Sequence, residues 1–198
     1  MGKECACCTG DKDARQSMLL FDNPLRRALR RPRRFLSQYA SKGDVAADLG
    51  CNRGFFSLPL AELVGPTGRV HALDPDATAI AALTSKAGKS NHQNINASVE
   101  SAAQQRSIQD RSLDFVFANL VLCCMADHDG ALREIKRTLK TDGIAYLSIA
   151  KDFRSGSNKV SGREWRSILR GFRVRGARTA LFERVAVVSL ASDRASAA

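Results

Sequence analysis

Apolar positions change period along this chain, and each change marks an element. Residues 1–18 show no apolar period, which predicts an irregular leader. From Leu19 to Tyr39 the spacing becomes helical, with Leu25, Leu29, Phe35, Leu36 and Tyr39 as candidate buried points. Pro24 suits a helix start after Asn23, and Pro32 interrupts the run, so two short helices with outward-facing arginines are expected. Further on, short apolar runs alternate with amphipathic segments. Strands are predicted at Asp44–Leu49, Arg69–Asp74, Ile95–Val99, Leu113–Leu120 and Ile144–Ala150. Helices are predicted at Phe55–Val64, Thr78–Ala87 and Asp127–Leu139, with turns at Gly65–Gly68 and Lys140–Gly143. A Ser/Gly-rich loop over 154–162 precedes a helix at Gly162–Leu169 and two strand-like segments, Phe172–Ala177 and Leu181–Leu190. The last two lie close enough in sequence to form a hairpin.

Seven predicted strands alternating with helices imply an α/β fold. The sheet should be mostly parallel, with right-handed crossovers, helices on both faces and a terminal antiparallel hairpin. The run at 113–120 is apolar on both sides of its pleat, as a buried parallel strand requires. We divide the chain into a Cys-containing leader with basic helices over 1–42, acting as a cap, and one ligand-binding domain over 43–198.

Charge changes the picture at the flanks. Residues 1–42 carry a net +6, residues 43–150 a net −2 and residues 151–198 a net +7. Such basic flanks attract anions, from a phosphorylated metabolite to RNA, or simply keep a face solvated. No apolar run approaches a membrane span, so a cytoplasmic protein is expected.

The central chemistry lies in Asp44–Asp74, reading DVAADLGCNRGFFSLPLAELVGPTGRVHALD. A strand, a glycine-containing loop, a helix and a second strand ending in an acid follow in order. Asp74 falls 20 residues after Gly54, the spacing at which a nucleotide-binding βαβ unit offers a carboxylate to ribose hydroxyls. The loop reads DLGCNRG rather than GxGxxG, and Asp48 beside the glycines suits a ligand with a positive amine better than a pyrophosphate.

These segments resemble the class I S-adenosylmethionine-dependent methyltransferases. The family's first motif, D/E-x-G-x-G-x-G, matches at Asp48, Gly50 and Gly54, and the likeness continues at 71–80, 113–122 and 131–148. The nearest flavour is the small-molecule branch that includes ubiquinone and menaquinone biosynthesis methyltransferases. The resemblance implies a Rossmann-like methyltransferase fold and S-adenosylmethionine as cofactor. It places Asp48, Gly50, Cys51, Asn52 and Gly54 around the methionine part, Asp74 and Pro75 at the ribose, Ser101 and Ala102 at the adenine, and Asn119 beside the transferable methyl. The motif's middle glycine is replaced by Asn52, a residue that tolerates left-handed backbone.

Methyl transfer from a sulfonium needs positioning more than acid–base chemistry. Asp127 and His128, just after the fourth strand, are the candidate catalytic pair if an acceptor must lose a proton; a plain helix-start role is the alternative. Asn119-Leu120-Val121-Leu122 lacks the proline and aromatic that base-amine methylating enzymes place there. Cys5, Cys7, Cys8, Cys123 and Cys124 could ligate a soft ion, although no complete four-ligand spacing is present and no metal is expected. Three readings therefore stand. The leading one is methyl transfer to a small acceptor, for which the basic flanks leave room for an anion, with nucleic acid a less favoured partner. The others are metalloid or thiol methylation through the cysteines, and a non-catalytic nucleotide- or RNA-binding module.

Overall fold

The structure, a computed structural model, describes residues 31–150, 160–180 and 183–191. The predicted first N-terminal helix, Cys5, Cys7, Cys8 and most of the 154–162 loop lie outside these residues. The described chain runs α1 (Pro32–Leu36), β1 (Val45–Leu49), α2 (Ser57–Val64), β2 (Arg69–Asp74) and α3 (Ala77–Lys89). It continues through β3 (Ile95–Val99), β4 (Leu113–Asn119), a 3-10 turn (Leu122–Cys124), α4 (His128–Thr138), β5 (Leu139–Ala150), α5 (Gly162–Ile168), β6 (Phe172–Thr179) and β7 (Glu183–Leu190).

The seven strands form one sheet in the order β3-β2-β1-β4-β5-β7-β6. The first five in sequence pair in parallel, whereas β7 is antiparallel to both β5 and β6. Strand alternation sends side chains to two faces. Ala46, Phe115, Phe117 and Tyr146 pack under Leu36 of α1 and Leu60 and Val64 of α2, with Ile80 and Leu83 of α3 alongside on Leu58. On the other face Ala47, Val116, Ala118 and Leu147 pack under Leu132 and Ile135 of α4 and Trp165 and Ile168 of α5. Burial of these apolar side chains stabilises the layers by roughly 1.5–3 kcal/mol each for the larger ones.

Pro32 opens α1, since a missing N–H costs nothing in a first turn. Only five residues long, α1 is held by packing. Leu36 is fully buried, and the Phe35 ring meets Tyr146 edge-on at 5.3 Å. Arg33 and Arg34 are exposed as expected.

One sequence expectation is corrected. Lys140–Gly143 is not a turn between helix and strand; β5 begins at Leu139, directly after α4. Leu113 pairs with Leu139 and Phe115 with Ile144, so 140–143 bulges opposite Asp114 alone. The Lys140 ammonium meets the Asp114 carboxylate at 2.7 Å and holds the bulge against β4.

Between β3 and β4 the chain makes turns instead of a helix. Arg137 of α4 fastens this stretch, donating from Nη2 to the Gln105 carbonyl at 2.8 Å and from Nη1 to the Ile108 carbonyl at 3.0 Å. Glu134 orients the guanidinium and also accepts the Gln105 N–H at 2.8 Å. Ala102 and Ile108 are thereby buried against the sheet.

Candidate functional site

Parallel pairing aligns the carboxyl ends of β1, β2, β3 and β4 along one edge. Register places Asp48 beside Ala72 and Phe117, and Asp74 beside Val99. The loop after β1 is stitched to β2 at once: the Gly50 and Cys51 N–H groups both donate to the Leu73 carbonyl, at 2.8 and 3.0 Å. Gly50, Asn52 and Gly54 have φ of 69°, 47° and 82°. Three left-handed residues in five fold the loop tightly over the sheet edge. A Cβ on Gly50 would stand 2.6 Å from Val121 Cγ2, and one on Gly54 would overlap Leu83. Asn52 fills the remaining left-handed position, and its side-chain oxygen accepts the Arg53 N–H at 2.7 Å.

Two acids face this loop. Asp48 is 3% exposed, and its Oδ2 accepts the Ser57 hydroxyl at 2.6 Å. Burial pushes its carboxyl up to about 7; the Ser57 bond offsets part of this, and Asp74 adds a smaller upward push. Asp74 accepts the Asn52 N–H on Oδ2 and the Asp76 N–H on Oδ1, each at 2.9 Å. Burial raises its pKa while these two bonds pull the other way. Pro75 beside it is exposed. Cys51 is buried among Leu58, Ile80 and Leu83, and burial followed by the two acids drives its thiol up, which leaves it inert.

After β3, the Ser101 hydroxyl accepts the Ala103 N–H at 3.2 Å and Ala102 is buried. At the end of β4, Asn119 Oδ1 accepts the Ser148 hydroxyl at 3.0 Å. Leu120 then turns the chain at φ 60° into the 3-10 turn. Asp48, the 50–54 loop, Asp74, Ser101, Ala102 and Asn119 thus share one sheet edge.

Asp127 and His128 stand at the start of α4. Asp127 caps α4 by accepting the Gly130 N–H at 2.8 Å. His128 Nε2 lies 2.6 Å from the Leu122 carbonyl, and Nδ1 lies 3.2 Å from Glu164 of α5. The pair borders a cavity of about 240 Å³ between α4 and α5. Both imidazole nitrogens meet oxygen acceptors, an arrangement that ties the turn after β4 to α5.

Cys123 is 6% exposed, and its Sγ lies 3.2 Å from the Leu120 carbonyl. The Cys124 thiol lowers its pKa to about 6 against the effect of burial, with smaller help from the backbone and His128. Among the described residues no group of three or more His, Cys, Asp or Glu is arranged to hold a metal.

Ser57, Val121, Ser148 and Arg137 complete the site, and sequence reasoning did not single them out. Ser57 carried a faint signal as a polar residue at the helix start after Asp48. Arg137 carried none, because its targets are backbone carbonyls some thirty residues away.

The donor set fits a ligand with positive charge and neighbouring hydroxyls. Among the described residues the side-chain partner of the buried Asp48 carboxyl is the Ser57 hydroxyl, and each Asp74 oxygen keeps a lone pair beyond its backbone bond. Solved structures share the fold. An S-adenosylmethionine-dependent methyltransferase from Aquifex aeolicus superposes with a TM-score of 0.76 at 21% identity, covering 89% of this chain and 98% of that one. Aeropyrum pernix fibrillarin, solved with S-adenosylmethionine natively bound, gives 0.60 at 15% identity, covering 75% and 67%. By sequence, the demethylmenaquinone methyltransferase of Lactobacillus johnsonii is 35% identical over 101 residues, which is 51% of this chain and 41% of that protein. The chain thus spans less than half the length of the curated relatives it matches. Neither metalloid methylation nor a non-catalytic module is favoured by these likenesses. The family model for a methyltransferase domain matches residues 47–147, and the chain belongs to that S-adenosylmethionine-dependent methyltransferase family.

Proposed function

We propose that this chain transfers the methyl group of S-adenosylmethionine to a small-molecule acceptor with an apolar reacting face, such as a quinol. The carrying observation is the rim beyond β4. Leu120, Val121 and Met125 stand there beside Asn119, at the sheet edge that also holds Asp48 and Asp74. The likeness to demethylmenaquinone methyltransferases supports an acceptor of this kind.

In this reading Asp74 accepts hydrogen bonds from the ribose hydroxyls, and ionised Asp48 faces the ammonium of the methionine part. Gly50, Cys51, Asn52 and Gly54 present backbone close to the same group, with Pro75 beside the ribose and Ser101 and Ala102 lining the adenine. The cofactor supplies a methyl on an activated sulfonium, so the chain's task is to hold the acceptor in line and exclude water. Asn119, fixed by Ser148, directs a polar donor or acceptor at the reacting groups. His128 acts by holding the Leu122 carbonyl and Asp127 by starting α4; both position the rim rather than carry a proton.

Methyl-labelled cofactor incubated with fractionated cell extract tests the reading. Label should enter the small-molecule and lipid fraction and depend on Asp74. Label confined to protein or RNA would overturn it.

A further inference from the structure

A ridge of arginines follows the sheet edge farthest from β3. β6 is the outermost strand there, and all its residues after Phe172 are exposed. It carries Arg173, Arg175 and Arg178, while α5 and the turn after it carry Arg163, Arg166 and Arg170, all exposed. The described residues from 160 to 191 hold seven arginines, no lysine, and only Glu164 and Glu183 as acids. Lys136 of α4 joins the ridge, its ammonium 4.8 Å above the Phe172 ring.

The cations flank the edge on two sides. Phe172 is buried with Trp165 and Ile168 beneath α5, so the adjacent Arg173 projects from the opposite face. Arg178 also lies on that opposite face, because its guanidinium meets Tyr146 of the cluster under α1 and α2. Arg175 sits, exposed, where the β6–β7 register shifts between Val174 and Gly176. Arg163, Arg166 and Arg170 remain on the α5 side.

We infer that this ridge binds the phosphodiester backbone of a nucleic-acid strand. Arginine offers a planar fork that grips phosphate oxygens in pairs, and the preponderance of arginine over the single Lys136 fits that chemistry. Cations on both sides of an edge can flank a linear polyanion, whereas a flat bilayer would reach one side. Membrane docking also needs an apolar face. Among the described residues the exposed large hydrophobic side chains are Val99 and Val174, and only Val174 lies on the ridge. No aromatic is exposed on β6 or α5, so contacts would be to phosphates and insensitive to sequence. The ridge lies four strands from β1 and its cofactor loop. It makes nucleic acid a bound partner, independent of which acceptor is methylated.

The test uses the full chain without cofactor, with a fluorescent single-stranded RNA, a DNA of the same sequence, and phosphatidylserine-containing vesicles. Binding to both oligonucleotides should weaken steeply with salt. An Arg170→Ala, Arg173→Ala, Arg175→Ala triple variant should bind at least about tenfold more weakly, with a log–log salt slope shallower by about two. Its circular dichroism and S-adenosylmethionine affinity should match the wild type, which separates loss of the surface from loss of the fold. Oligonucleotide binding unchanged in the triple variant would overturn the inference. So would vesicle binding without oligonucleotide binding, or no binding to any of the three.

Discussion

Asp74 accepts the Asn52 N–H through Oδ2 at 2.9 Å, so the acid ending β2 also secures the crest of the loop after β1. One carboxylate therefore serves two ends: it shapes the loop and, in the proposed function, accepts the ribose hydroxyls.

That double duty sets the first expectation. Asp74→Ala removes charge-assisted hydrogen bonds to the cofactor, each worth about 1.5–3 kcal/mol, and releases Asn52. S-adenosylmethionine affinity should fall at least ~10-fold, measured by calorimetry. Asp74→Asn should lose less, since its amide oxygen still accepts.

Asn52 stands at φ 47° where the family motif has glycine. Asn52→Gly should fold at least as well as wild type and keep cofactor affinity. Asn52→Ala should cost about 1 kcal/mol and Asn52→Val more, since a Cβ, and above all a branched one, resists left-handed backbone. Thermal melts of the three variants give the order directly; equal stability of Gly and Val would refute it.

Asp48 predicts a pH dependence. Its folded carboxyl titrates at about 7 against an unfolded value of 3.8, so the native state holds a proton that the unfolded state releases. This contribution is fully present below pH 3.8 and is lost as pH rises through about 7. At about one to one and a half kcal/mol per unit, ionising Asp48 costs the apo protein a few kcal/mol by pH 8. Asp48→Asn should flatten apo stability between pH 5 and 8, read by urea unfolding at each pH. In the wild type a cationic ligand should bind more tightly as pH rises through the same range.

Arg137 should matter for binding although it lies on a helix behind the turns that follow β3. Arg137→Ala frees the Gln105 and Ile108 carbonyls and should cost about 2 kcal/mol of stability. Lysine should not rescue it, because one ammonium cannot reproduce a planar fork that reaches two carbonyls and Glu134. Cofactor affinity should fall with it, as Ser101 and Ala102 begin the fastened segment. Full rescue by lysine in a thermal melt would contradict this account.

The elements that announce themselves by period were legible. Strands β1 to β4, the loop between Asp48 and Gly54, and helices α2 to α5 appear within a residue or two of their expected bounds. Asp48, Asn52 and Asp74 were visible because strand ends and glycine spacing place them locally. What stayed hidden depends on partners distant in sequence. The bulge at 140–143 exists because Asp114 on the neighbouring strand holds Lys140, and no period of the segment itself encodes that. His128 looked like a base beside an acceptor. Its tether to the Leu122 carbonyl and to Glu164 emerges only when α5 folds back over α4. The leader's second helix was expected from spacing, but its burial against Tyr146 was not readable from five residues.

The absent Cβ of Gly50 has a wider consequence. Because Val121 fills that space, the loop after β1 and the turn after β4, proposed to seat the methyl donor and the acceptor, mesh like adjoining teeth. Whatever stiffens one stiffens the other, and thermodynamic reciprocity makes the effect equal in both directions. A first ligand that orders Gly50 prepares the seat of the second, so the two should bind with positive cooperativity although they occupy separate surfaces.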